Sequence, residues 1–138
     1  MKVVGLNDRE YTWNLNKYET TQAKDRSSRS KFHLLARELI YETYPSYIVL
    51  EEVKLPGSTT NKASLYLDFF IPNLKLAFEV HGQQHYKFTP FFHKHRADFL
   101  LGQHRDRNKI LWCENNEIDL VVLKYSESED EWRTKIRC

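Results

Sequence analysis

Residues 65–85 read LYLDFFIPNLKLAFEVHGQQH, and this stretch decides the fold. Residues 65–71 and 75–81 are two short runs rich in apolar and aromatic residues, which is typical of β-strands. Pro72 and Asn73 lie between them and mark a tight turn. The sequence therefore predicts an antiparallel hairpin. Gly82 ends the second strand, because glycine lets the chain turn sharply.

A helix and a further strand precede this hairpin. Ser28 or Ser30 is the expected helix cap, and apolar residues then recur every three to four positions up to about Tyr44. Pro45 stops the helix. Residues 47–55 (YIVLEEVKL) are rich in β-branched residues and predict a strand, which a Pro-Gly-Ser turn ends.

The rest of the chain predicts more helix and one more strand. We expect helices over residues 92–101 and 104–114, and a short helix around Trp132. Residues 118–125 (IDLVVLKY) are almost continuously apolar, which predicts a strand buried on both faces. The order helix, strand, strand, strand, helix, strand indicates an α/β fold with a central mixed sheet flanked by helices. Residues 1–27 are predicted to form an irregular arm, with a short strand in it as an alternative, before a single domain over residues 28–138.

Length and composition exclude several classes of protein. The 138 residues suit one domain, and 41% hydrophobic with 29% charged residues indicates a folded chain. No apolar run approaches the roughly 20 residues that cross a bilayer, and the first residues carry charges where a signal peptide is apolar. We therefore expect a cytoplasmic protein without a membrane partner. Two cysteines are too few for a disulfide framework.

The net charge of +2 hides an uneven distribution. Residues 75–112 hold seven basic and three acidic side chains, together with five of the six histidines. Residues 1–31 hold seven basic and four acidic side chains. Such surpluses are typical of a surface for an anionic polymer, although an ordinary solvated surface can also produce them. The basic residues expected to hold the anionic groups of such a polymer are Arg29, Lys31, Arg96, Arg105, Arg107 and Lys109.

Two carboxylates interrupt the apolar strands of the hairpin. Asp68 lies between Leu67 and Phe69, and Glu79 lies between Phe78 and Val80. Each could face solvent, but the hairpin can also bring the two together, where they would repel unless a cation neutralised them. Magnesium suits such a pair, because it takes a few carboxylates and keeps water as its other ligands. We therefore predict a metal site at Asp68 and Glu79.

Histidines follow the second carboxylate. His81 lies two residues beyond Glu79 and so points to the same face of the strand, and His85 follows in the loop. A histidine beside a metal can take a proton from water or protonate a leaving oxygen. Asp106 is expected to orient His85 or to add an acid to the site, unless it only stabilises a helix N-terminus.

A further carboxylate has three candidates. Glu38 lies within the first predicted helix, where an exposed partner for a basic neighbour is an equal alternative. Glu51 and Glu52 lie in the first predicted strand. Alternation places one of these two inward and the other outward, and the sequence leaves open which.

These residues carry a resemblance. Asp68, a turn and then Glu79-x-His81 resemble the metal site of the PD-(D/E)XK nuclease fold, with His81 where that motif has lysine and Leu67 where it has proline. Leu-Pro-Gly at residues 55–57, the acid at 68 and the histidines after Glu79 are similar to the very-short-patch repair endonucleases. Residues 30–125 resemble the related EDxHD homing endonucleases, known mainly from phages.

The resemblance implies a magnesium-dependent DNA endonuclease with a restriction-endonuclease-like core, in which manganese can replace magnesium. It implies catalytic roles for Glu38, Asp68, Glu79, His85 and Asp106, with the metal on Asp68 and Glu79. The substrate would be double-stranded DNA in the host-cell cytoplasm. One such site cuts one strand, so a double-strand break needs a homodimer or two successive nicks.

Other readings stay open at the level of sequence. The same fold can serve a repair or recombination nickase that recognises branches or mismatches, or a DNA-binding protein without activity. A different class is a zinc-binding module, for which the candidate ligands are His81, His85, His93, His95 and Cys113.

Overall fold

The chain is described from a computed structural model that covers residues 1–15, 30–59, 63–87 and 95–137. Within these residues no helix is long and apolar enough to cross a membrane. The elements in chain order are β1 (Lys2–Val4), β2 (Glu10–Thr12), α1 (Lys31–Thr43), β3 (Leu50–Lys54), β4 (Tyr66–Ile71), β5 (Leu76–His81), α2 (Arg96–Asn115), β6 (Asp119–Lys124) and α3 (Glu129–Arg137).

A four-stranded mixed sheet forms the centre, in the order β3-β4-β5-β6. Strands β3, β4 and β5 are antiparallel neighbours, and β6 runs parallel to β5. The predicted hairpin is confirmed: β4 and β5 pair through Phe70 and Ala77, and a short helical turn from Pro72 to Leu74 joins them. Lys75 closes this turn with a left-handed φ of 48°.

Helices α1 and α3 cover one face of the sheet. The Ser30 side chain caps α1 by accepting a hydrogen bond from the His33 backbone N–H at 3.1 Å, as predicted for one of the two candidate caps. Apolar residues of the two helices pack on alternate residues of β4 and β5, which therefore point to this face: Ala36, Leu39, Ile40, Trp132 and Ile136 against Phe69, Ile71, Leu76 and Phe78.

Helix α2 and the N-terminal residues cover the other face. Trp112 and Cys113 of α2 are buried against Phe70 and Ala77. Trp13 joins them: its ring stacks on Phe70 with centroids 4.9 Å apart and meets the edge of Trp112 at 5.1 Å. The N-terminal residues, predicted as an irregular arm or an arm with a short strand, form two strands within the described residues 1–15. β1 and β2 pair as a small antiparallel sheet, and Trp13, which follows β2, is buried in the core.

Two further expectations are corrected. A single helix, α2, replaces the two helices predicted around Gly102, because one glycine costs a helix only about 1 kcal/mol. Residues 92–94 of the first prediction lie outside the described residues. Strand β6 lies at an edge of the sheet, so it is not buried on both faces, and Leu123 is its one fully buried residue.

Candidate functional site

The sheet opens where Asp68 of β4 faces Glu79 of β5. The backbone pairing of these strands ends at Phe69 and Phe78, one residue earlier. Beyond it, the Val80 N–H donates to Asp68 Oδ2 at 2.8 Å, and the Asp68 N–H donates to Glu79 Oε1 at 3.2 Å. Side-chain oxygens therefore replace the carbonyls that would continue the ladder, and the two carboxylates lie side by side.

Strand β3 is distorted opposite the same point. Its pairing with β4 flanks Glu52 and Asp68, and Glu52 has a φ of 53°, which is unusual for a residue other than glycine. As a result Leu50 and Val53 pack in the same core cluster, although strict alternation would place them on opposite faces. The distortion turns Glu51 inward, where it is fully buried, and leaves Glu52 half-buried.

Lys109 of α2 completes the carboxylate pair. Its Nζ lies 3.0 Å from Glu79 Oε1, with the lysine side chain 14% and the glutamate side chain 3% exposed. Burial raises the pKa of Glu79 well above its usual range, and Asp68 raises it further, while Lys109 offsets only part of this. Burial lowers the pKa of Lys109, but Glu79 and Asp68 outweigh it, so that pKa is raised and the amine stays charged.

A pair of histidines shares one aspartate beside this cluster. His85 Nδ1 lies 2.9 Å from Asp106 Oδ2, and the His81 and His85 rings stack in parallel with centroids 4.1 Å apart. His81 Nδ1 contacts the Tyr86 hydroxyl at 2.9 Å. Burial, with the neighbouring His85, lowers the pKa of His81 to about 4. His81 is therefore neutral at pH 7, while His85 is oriented by a carboxylate.

A second pair of a carboxylate and a histidine joins α1 to β3. His33 Nε2 is 2.5 Å from Glu51 Oε1, and Arg37 Nη2 donates to the same oxygen at 3.0 Å. Burial raises the pKa of Glu51, but the hydrogen bonds from His33 and Arg37 outweigh it and hold that pKa below its ordinary value. The His33 ring stacks on Phe69 with centroids 4.6 Å apart.

Part of each cluster described above lines one cleft of about 700 Å³. It lies between the start of α1 and the turn that follows β5. Its polar and aromatic lining consists of Ser30, Phe32, His33, Asp68, Glu79, Gln83, His85, Lys109 and Tyr125. The predicted residues Asp68, Glu79 and His85 are therefore brought together, and Asp106 supports them through His85.

Other predicted site residues lie elsewhere. Glu38 is exposed on α1 and does not line the cleft, so the expectation that it joins the site is corrected. Lys109 points into the cleft instead of toward flanking phosphates. The remaining predicted DNA contacts within the described residues are exposed, on α2 and at the start of α1: Arg96, Arg105, Arg107 and Lys31. Arg29 lies outside the described residues.

The zinc ligands considered from sequence also separate. Cys113 is buried in the core, and burial raises the pKa of its thiol to about 12, so it is not a thiolate ligand at neutral pH. His95 precedes α2, where its N–H donates to Asp98 at 3.2 Å. His93 lies outside the described residues. His81 and His85 do come together, and with Asp106 they offer ligand atoms within 4.8 Å of one another.

Sequence reasoning missed three residues of this region: His33, Arg37 and the site role of Lys109. A signal existed for the first two, because they lie four residues apart and so share a face of the predicted helix. Lys109 had no comparable signal, since its approach to Glu79 depends on how α2 crosses the sheet.

The described residues thus define a mixed α/β domain whose candidate site is a cleft of carboxylates, histidines and one lysine. Residues of the chain are 31% identical over 106 positions to uncharacterized protein 094L of Frog virus 3, covering 75% of this chain and 68% of that protein. The chain belongs to the family of this viral protein.

Two other viral relatives match a shorter part. Uncharacterized protein 307L of Invertebrate iridescent virus 6 is 41% identical over 63 residues, and uncharacterized protein 033L of Invertebrate iridescent virus 3 is 35% identical over 63 residues. Each match covers 46% of this chain but 32% of the relative, so the matched part spans about a third of those proteins. No protein-family model matches the chain, and no solved structure matches it significantly.

Proposed function

We propose that the protein is a magnesium-dependent DNA endonuclease with a restriction-endonuclease-like core. The observation that carries this proposal is the cluster of Asp68, Glu79 and Lys109 at the point where β4 and β5 separate. Two adjacent carboxylates with one buried lysine suit a site that holds a cation against a phosphate. The sequence resemblance assigned Asp68 and Glu79 to the same role. It placed His81, and not Lys109, at the lysine position of the motif.

The carboxylate pair fits a divalent cation. Asp68 Oδ2 and Glu79 Oε1 accept hydrogen bonds from backbone N–H groups, which fixes both side chains where they line the cleft. Burial and, after it, repulsion from Asp68 raise the pKa of Glu79, and a cation would relieve that repulsion. Oxygen donors at a partly open site suit magnesium or manganese. When bound, such an ion polarises a phosphate and stabilises its developing charge.

The side chains around this pair have the chemistry that phosphodiester hydrolysis needs. His85 holds its Nδ1 toward Asp106, so its Nε2 is the nitrogen that can take a proton from an attacking water. Lys109 supplies a fixed positive charge, which favours the additional negative charge of the transition state. Arg96, Arg105 and Arg107 on α2 would contact the DNA backbone, giving affinity without sequence choice.

The test is cleavage of a randomised DNA library with magnesium, with cuts mapped on each strand. We expect cleavage by the wild-type protein and by Glu38→Gln, an exposed control. We expect none by Asp68→Asn, which still binds DNA in a salt-sensitive manner. Cleavage at one long site favours a homing enzyme, and cleavage at branches or mismatches favours a nickase. A folded wild-type protein that binds DNA but never cuts it would contradict the proposal and favour an inactive DNA-binding protein.

A zinc-binding module is the second candidate. The observation that favours it is the group of His81, His85 and Asp106, since imidazole and carboxylate are zinc ligands. Metal analysis of the purified protein separates the two proposals. Stoichiometric zinc that is lost in His81→Ala, together with no cleavage activity, would favour the module.

A further inference from the structure

We propose that His33 is a second catalytic residue of the reaction proposed above, donating the proton that the leaving sugar oxygen takes up. This inference rests on the proposed nuclease function and extends it to a residue on a different helix. His85 would act on the attacking water, and His33 on the oxygen that departs.

The position of His33 is fixed from three directions. Its backbone N–H is held by the Ser30 cap, its ring stacks on Phe69, and its Nε2 contacts Glu51. The side chain is only 10% exposed, yet the residue lines the cleft that contains Asp68. A ring held in this way loses little further conformational freedom when substrate binds, which favours a catalytic role.

The partner of His33 determines which ring nitrogen faces the substrate. Glu51 is fully buried and ionised, so it is an acceptor, and Nε2 of His33 must carry a hydrogen toward it. Nδ1 is then the ring nitrogen that is not engaged with Glu51, on a residue that lines the cleft. In the imidazolium form Nδ1 also carries a hydrogen, and this is the form that can give a proton to a leaving oxygen.

Buried polar atoms support an active role for this cluster. Arg37 Nε, Arg37 Nη1 and Glu51 Oε2 are buried without a hydrogen-bond partner within the described residues. Such a cluster costs free energy compared with apolar residues of similar volume. Proteins often tolerate such a free-energy cost at active sites, and this cluster holds the proposed catalytic side chain.

The two histidines are positioned by helices on opposite faces of the sheet. His33 belongs to α1, which packs on the face of Phe69 and Phe78. His85 is held by Asp106 of α2, which packs on the face of Phe70 and Ala77. In an in-line displacement the attacking and leaving oxygens lie on opposite sides of the phosphorus. Acid and base groups that enter from opposite faces suit this geometry.

The proposed step conserves atoms and charge. The water oxygen forms a bond to phosphorus and gives its proton to His85, while the bond from phosphorus to the sugar oxygen breaks. That oxygen takes the Nδ1 proton of His33, which becomes neutral. The charged and titratable groups around His33 are Glu51 in direct contact, Arg37 on the same Glu51 oxygen, and Asp68, Glu79, His85, Lys109 and Tyr125 along the cleft.

The test compares leaving groups in single-turnover cleavage at a mapped site. Matched DNA substrates carry either the normal oxygen or sulfur at the 3′- or 5′-bridging position, because a thiolate leaves without a proton. We expect His33→Gln to cut the oxygen substrate about 100-fold more slowly than the wild-type protein. We expect it to cut the sulfur substrate at nearly the wild-type rate. His85→Gln is the matched control and should stay slow on both.

Failure of this inference is distinguishable from failure of the proposed function. A wild-type protein that cuts neither substrate overturns the nuclease proposal. A His33→Gln variant that is equally slow on both substrates, or as fast as the wild type on oxygen, overturns the role of His33 alone. If the variant does not fold, the wild-type protein provides the test. Deuterium oxide should slow its cleavage more with oxygen than with sulfur, because only the leaving oxygen takes up a proton, and equal solvent isotope effects overturn the inference.

Discussion

Lys109 and Glu79 form an ion pair of 3.0 Å that joins α2 to β5 at the mouth of the cleft. The pair is nearly buried, and Asp68 lies beside it, so one lysine charge faces two carboxylates. The site therefore keeps a deficit of positive charge. The proposed divalent cation would remove that deficit.

Replacement of Lys109 by Met should make stability more dependent on pH. Burial and Asp68 already raise the pKa of Glu79, and loss of the lysine raises it further. When folding raises the pKa of a carboxyl, the protein loses stability as the pH rises above the pKa of that carboxyl in the unfolded state, near 4.5. Relative to the wild-type protein, we expect the variant to lose more free energy of unfolding at pH 7.5 than at pH 4.5.

Urea unfolding at both pH values, without metal, measures this difference. Arg107→Met is the matched control, since it removes an exposed cation from the same helix. An equal loss of stability at the two pH values would show that Lys109 acts through packing alone.

Much of the fold follows from local sequence signals. The pattern around Asp68 and Glu79 predicted the β4 and β5 hairpin, and Ser30 marked the start of α1. These features depend on neighbours in sequence. The burial of Trp13 does not, because it requires a partner such as Trp112 almost a hundred residues away. The position of β6 at the sheet edge is likewise a property of topology.

The site was predictable in its short-range parts. The closeness of Asp68 and Glu79 follows from a hairpin, and that of His85 and Asp106 was proposed from residue type. Glu38 was wrong because helical periodicity alone does not tell which polar face turns toward the sheet. Glu51 was left open because the left-handed backbone of Glu52, which decides its direction, has no sequence signature.

Asp106→Asn should impair catalysis and leave DNA binding intact. The carboxylate holds His85 through Nδ1 at 2.9 Å, and an amide in its place can favour the wrong tautomer. We expect a fall of about 100-fold or more in the single-turnover rate, with an unchanged dissociation constant measured without metal. Asn108→Asp, on the same helix, is the control. Unchanged cleavage by Asp106→Asn would remove His85 as the group that takes the proton.

Trp13→Ala should destabilise the whole domain. The ring is 3% exposed, packs on Phe70 and Trp112, and its Nε1 donates to the Lys54 carbonyl at 3.0 Å. Loss of such a side chain costs about 3–5 kcal/mol. Chemical denaturation followed by circular dichroism tests this, with Tyr47→Ala as an exposed aromatic control. A loss below about 1 kcal/mol would mean that residues 1–15 are a dispensable arm after all.

Glu51→Gln should destabilise the protein at neutral pH. The change leaves the guanidinium of Arg37, which is 2% exposed, without its charged partner. Breaking a buried ion pair from one side costs about 3 kcal/mol or more. Removing the cation as well, in the double variant with Arg37→Met, should recover most of the loss, because no unpaired charge then remains buried.

The difference in stability between Glu51→Gln and the wild-type protein should disappear in acid. The hydrogen bonds from His33 and Arg37 outweigh burial and hold the folded pKa of Glu51 below the ordinary 4.5. The stability that Glu51 contributes is therefore present above about pH 4.5 and is lost as the pH falls through the lower folded pKa. The gap in unfolding free energy between wild type and variant should be widest at pH 7 and narrow steadily below pH 4.5. A gap that stays constant from neutral to acid pH would mean that Glu51 stabilises the fold by shape and not by charge. Glu38→Gln, which alters an exposed carboxylate on α1, should show no such gap at any pH.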